Sequence, residues 1–177
     1  FLSSPNYMLN CGLGIILLPA LGIVLLIKGP ALMAVLPELL GGHTGPLAVL
    51  IAACICMVIS MIDIAAPSVS LEGKTLWQLQ SLPLNPWQIL LSKLKLHWIL
   101  TLIPTLICCI CTIFAFPGTI AERILVLLLP MVFGVLSGMA GLSLGLKFPN
   151  LTWTNETAPI KQSASVTIAL FGGWGYA

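Results

Sequence analysis

Charge is what this chain has least of. Seven Lys and Arg and five Asp and Glu make twelve charged side chains in 177 residues, or 7%, where soluble domains carry about 25%. Twelve charges cannot coat a water-soluble fold of this size, so that class is excluded. The net charge is +2 and the seven cations are scattered, which leaves no basic stripe for nucleic acid. Disorder is excluded for the opposite reason. With 59% hydrophobic residues and a mean hydropathy of +1.11, the chain cannot stay solvated. Paired acids and a Ser/His set are also missing from the apolar runs, which leaves an intramembrane enzyme without its chemistry. The six cysteines (Cys11, Cys54, Cys56, Cys108, Cys109 and Cys111) all fall in those runs. Cys108 and Cys111 share a helical face, but they read as small buried hydrophobes rather than ligands for a soft metal. What remains is an integral membrane protein.

A helix needs about 20 apolar residues to cross roughly 30 Å of hydrocarbon. Runs at about 9–27, 46–66, 96–116 and 124–146 qualify, and a fifth, 163–177, is cut off. None alternates polar with apolar residues, so barrel strands are excluded and the fold class is all-α, a polytopic transmembrane bundle. The chain opens on Phe1 and stops inside an apolar run, so it is expected to be part of a longer polypeptide. Lys74, Lys93, Lys95, Lys147 and Lys161 fall in segments 67–95 and 147–162, against Lys28 and Arg123 in segments 28–45 and 117–123. The positive-inside rule puts the first pair of segments, and the N-terminus, in the cytoplasm.

Within the spans, Pro19, Pro104 and Pro130 each remove a backbone donor. Gly134, Gly138, Gly141 and Gly145 recur at i, i+4, i+7 and i+11, which puts all four on one face as a tight helix-packing seam. Asp63 is the one acid inside a span and reads as a bundle-facing cap bonded to neighbouring spans. His43 and His97 stand alone and read as structural, with His97 at the membrane interface.

Segment 67–95 is the most informative. Ser70 is a candidate N-cap, with Glu72 in the first turn of a short helix reaching about Gln80. Leu82-Pro83-Leu84 breaks it. Asn85-Pro86 is a second cap and N1 pair, from which a helix runs into the third span. Gly73-Lys74-Thr75 has the ending of a P-loop, but Ser68 stands where the motif needs its first glycine.

Glu-Gly-Lys-Thr-Leu-Trp at 72–77, Ser-Leu-Pro at 81–83 and Ile-Leu-Leu-Ser-Lys at 89–93 resemble the first cytoplasmic loop of type-2 ABC exporter permeases. Phe148-Pro149-Asn150 through Trp153 and Asn155-Glu156 to Lys161-Gln162-Ser163 resembles a later loop of bacterial ABC permeases in that class. The resemblance implies a permease domain over 1–177, within a six-span or larger unit of the bacterial plasma membrane. It implies a coupling element at Glu72, Gly73, Lys74, Leu76, Trp77, Leu79, Leu82 and Pro83. Leu76, Trp77 and Leu79 would enter a groove on an ATPase subunit, and Glu72 and Lys74 would pair with its rim. The chain would have no catalytic residue, metal or cofactor of its own. ATP and Mg would sit on the partner ATPase subunits, and a second permease subunit and the lipid bilayer would complete the assembly. The expected function is ATP-driven export of a hydrophobic or amphipathic compound. A secondary transporter, or a non-transporting scaffold or sensor subunit, is the alternative, and Asp63 is the residue that an ion-coupled transporter would use.

Overall fold

The computed structural model describes residues 5–39, 45–73, 81, 83, 85–151, 153, 159–160 and 163–176. Among these there are six helices: α1 Pro5–Leu39, α2 Gly45–Ser60, α3 Ala65–Leu71, α4 Pro86–Ala115, α5 Ile120–Lys147 and α6 Ala164–Tyr176. No strand occurs among the described residues, so the protein is an all-α bundle. Four segments are long and apolar enough to cross a membrane: Tyr7–Ala31, Gly45–Leu71, Pro86–Ala115 and Ile120–Lys147. The last apolar run forms the shorter α6, of 13 residues.

Local chemistry explains where the helices start and stop. The Asn85 side chain accepts from the Trp87 N–H at 3.2 Å, with Pro86 in the first turn where no donor is needed, as the Asn-Pro pattern predicts. α5 opens on a capping box. Thr119 Oγ1 accepts from the Glu122 N–H, and Glu122 Oε2 accepts from the Thr119 N–H at 2.8 Å. α1 continues past the apolar run that ends at Ile27, through Pro30 and on to Leu39.

The second span is broken. α2 ends at Ser60, residues 61–64 leave the helix, and α3 begins at Ala65. Pro67 contributes to the break, although Pro19, Pro104 and Pro130 lie within unbroken helices. In an unbroken helix the Pro67 ring would strike the carbonyl four residues back, at Asp63, and no donor would serve that carbonyl. Asp63, just before the N-cap residue Ile64, supports the new helix, because its Oδ1 accepts from the first-turn Ala66 N–H at 3.1 Å.

α5 is the hub of the bundle. It packs against α2, α3, α4 and α6, while α1 lies along α4 and touches α2. The apolar core gathers Leu18 of α1, Ile55 and Ile59 of α2, Ile62 and Ile64 of the break, and Cys108 and Cys109 of α4. Large apolar side chains on the outer faces, such as Ile16, Ile103, Phe114 and Val132, stay exposed, as a bundle that meets lipid requires.

Candidate functional site: the broken second span and the junction below it

Two features meet at α3. The first is the junction at its C-terminal end. A helix leaves its last four carbonyls without internal partners. Here Lys93 of α4 donates from Nζ to the Ser68 carbonyl at 3.1 Å, and Trp153 donates from Nε1 to the Ser70 carbonyl at 2.7 Å. Lys93 also forms an ion pair with Glu72, the C-cap residue of α3. The Lys93 side chain is 12% exposed and that of Glu72 33%, so solvent screens the pair only in part. A cation at this end also complements the helix dipole. Ser70 Oγ accepts from the Asn150 N–H at 3.0 Å. Gly73 lies against Leu151, where a Cβ would fall 2.7 Å from its carbonyl oxygen and 3.0 Å from its Cα. Only glycine lets the two backbones approach so closely. The stretches before α4 and after α5 are thus tied together at one end of the bundle.

Ser70 corrects one expectation. It does not start a helix. It lies buried in the last turn of α3, because that helix has already begun at Ala65, its first turn supported by Asp63. Of the expected coupling element, Glu72 and Gly73 belong to this junction and Pro83 is exposed. Lys74, Leu76, Trp77, Leu79 and Leu82 lie outside the described residues.

The second feature is the break itself. Asp63 is 8% exposed and lies against α5, where a Cβ on Gly141 would come within 2.8 Å of its Oδ1. Its hydrogen bond goes to the backbone of α3 rather than to a neighbouring span, and its Oδ2 is buried with no partner among the described residues. Tyr7 of α1 donates its hydroxyl to the Ile64 carbonyl.

The four glycines of α5 are buried and face inward within this chain. Gly134 meets Thr101 and Leu102 of α4, Gly138 meets His97 and Trp98, Gly141 meets Asp63, and Gly145 meets the backbone of Ala66. Trp98 also donates from Nε1 to the Val135 carbonyl at 3.3 Å. His97 lies inside the bundle, 1% exposed against the Gly138 face. Among the described residues no group of three or more His, Cys, Asp or Glu could hold a metal ion. Beside the break, between α2, α5 and α6, lies a cavity of about 520 Å³ lined by Ser60, Asp63 and Ser137 among apolar neighbours.

A helical bundle of long apolar segments with a broken span and a tied junction defines a multi-span membrane protein. A family model described as "Putative ATP-binding cassette" matches residues 45–171, from the start of α2 into α6. The chain belongs to this family and is a membrane component related to ABC transporters. No curated protein and no solved structure matches it.

Proposed function

We propose that this chain is the membrane-spanning permease part of a type-2 ABC exporter and moves a hydrophobic or amphipathic compound out of the cell. ATP and Mg would be handled by separate ATPase subunits, and a second permease subunit would complete the pathway across the plasma membrane. The observation that carries this reading is the junction. Segment 72–83 leaves directly from the end of α3, and that end is bonded to α4 through Lys93 and to the stretch after α5 through Asn150 and Trp153. A push on the segment would therefore reach three helices at once, which is what hinge-type coupling of a bistable bundle needs. The family match over residues 45–171 supports the same reading.

An ATP site on this chain is not part of the proposal. Ser68 stands at the first-glycine position of a would-be P-loop, sits within α3, and donates its hydroxyl to the Ala65 carbonyl at 2.7 Å. A P-loop needs an open, glycine-lined turn there.

The test is purification of the full-length protein from its native membrane in mild detergent. A stoichiometric P-loop ATPase is expected to come with it. Trp77→Asp and Leu79→Asp should abolish that association, since an unpaired charge in a buried interface costs about 3–5 kcal/mol. A protein that purifies without an ATPase would overturn the proposal and favour a secondary transporter.

A further inference from the structure

We propose that the cavity beside the break binds an amphipathic amine, with Asp63 as counter-ion to its ammonium group. This deepens the export reading above and rests on it for the role of the bound compound.

The argument is one of donors and acceptors. The cavity's volume, about 520 Å³, lies in the range of small-molecule sites. Ile62, Phe133, Leu136 and Ile168 make its walls largely apolar. Its polar side chains are Ser60, Asp63, Ser137 and Ser143. Each serine has already given away its proton: Ser60 to the Met57 carbonyl at 2.7 Å, Ser137 to Gly134 at 3.0 Å, and Ser143 to Met139 at 2.8 Å. What the serines offer to a ligand is lone pairs. An ionised Asp63 is acceptor-only. Its Oδ1 takes the Ala66 N–H, and its Oδ2 is buried without a partner.

With Asp63 ionised, the described lining residues thus have no side-chain donor left and include no Lys, Arg or His. A neutral acceptor or an anion finds nothing to pair with here. An ammonium group brings several N–H donors and a positive charge, and it removes the cost of an uncompensated carboxylate in apolar surroundings. The hydrocarbon part of the same molecule suits the apolar walls. A bare metal ion suits the site poorly, because among the described lining residues Asp63 is the only charged ligand and the space far exceeds one ion. Gly141, Gly172 and Gly173 also line the cavity and add no side-chain bulk to it.

The test compares 4-phenylbutylamine with its neutral counterpart 4-phenylbutanol, using equilibrium dialysis against the full-length protein in phosphatidylcholine nanodiscs. The amine is expected to bind at least about tenfold more tightly, the scale of one desolvated carboxylate–ammonium contact. Asp63→Asn keeps the oxygen that accepts the Ala66 N–H, so it should fold, and it should erase the preference while leaving the alcohol's binding unchanged. Ser137→Leu, which fills the cavity, should lower the binding of both. Equal binding of amine and alcohol to the unmodified protein, or an amine preference that survives Asp63→Asn, would overturn the proposal. Repeating the measurement with half the lipid as phosphatidylethanolamine separates the sources of the amine. Competition points to a lipid headgroup, and unchanged affinity points to a free amine; either result supports the site. The assay needs no ATPase, so a failure of the export reading would leave its outcome intact.

Discussion

Tyr7, near the start of α1, donates its hydroxyl to the backbone carbonyl of Ile64, the residue just before α3. The bond spans 57 positions of sequence and is buried. It adds a second donor to the carbonyl of the N-cap residue of α3, which the first turn of that helix already uses. Tyr7→Phe removes that second donor and the buried tie between α1 and the break, at a cost of about 0.5–1.5 kcal/mol. Thermal unfolding in detergent should show the loss, and an unchanged midpoint would mean that water replaces the tyrosine.

At the other end of α3, Lys93→Met removes the ion pair with Glu72 and the bond to the Ser68 carbonyl together. Glu72→Gln removes only the first. Lys93→Met should therefore destabilise the protein more, by about 1–3 kcal/mol. A double-mutant cycle between the two positions should show a coupling of about 0.5–1 kcal/mol. A coupling of zero would mean that the pair adds nothing beyond the carbonyl bond.

Trp153→Phe keeps the ring but deletes the Nε1 donor to the Ser70 carbonyl. The expected loss is about 1 kcal/mol, read by the same unfolding assay. Limited proteolysis should also cut faster after residue 148, where the chain leaves α5. An unchanged digestion pattern would show that Asn150 and Leu151 hold this stretch without help.

The glycines of α5 and α6 make an internal comparison. Gly138→Leu would drive a side chain into His97 and Trp98, and the bundle should lose about 3 kcal/mol or fail to assemble. Gly172→Leu meets nothing within 4 Å of the new Cβ and should leave stability within about 0.5 kcal/mol. Equal effects at the two positions would contradict the packing described for α5.

Asp63 separates the backbone bond from charge. Asp63→Asn keeps the acceptor for the Ala66 N–H, whereas Asp63→Leu does not. The leucine variant should be less stable than the asparagine variant by about 1 kcal/mol, measured as a difference in unfolding midpoint. No difference would mean that the break does not depend on that bond.

Much of this fold can be read from the residues, and the unread parts have physical causes. The helical bundle follows from apolar runs too long and too uniform for strands. Asn85-Pro86 marks the start of α4 because cap chemistry is local. Thr119 and Glu122 carried an equally local signal for α5 that went unread. The i, i+4, i+7, i+11 spacing puts four glycines on one face, but spacing cannot name the neighbour. That α4 covers its upper half, and Asp63 and Ala66 its lower half, is decided by tertiary packing. The break at 61–64 is hidden in the same way. Hydropathy runs smoothly from Pro46 to Ala66 because it measures solvent preference and carries no record of backbone path. The signal was Asp63 followed four residues later by Pro67, an acceptor and a breaker in register. Ser70 was misread as a starting cap for the same reason, since α3 had already begun. The junction of Ser70 with Asn150 and Trp153 joins residues 80 and 83 positions apart, beyond the reach of any local pattern.

That separation has a consequence for how the chain is made. Asn150 and Trp153, which tie Ser70 at the end of α3 to the stretch after α5, are synthesised 80 and 83 positions after it. At about 5–20 residues per second, the ribosome takes roughly 4–16 s to deliver them. Through that interval this end has only partners nearer in sequence, the Glu72 N–H for the Ser70 carbonyl and Lys93 for that of Ser68. The tie between α3 and the stretch after α5 can therefore close only once α5 has been made.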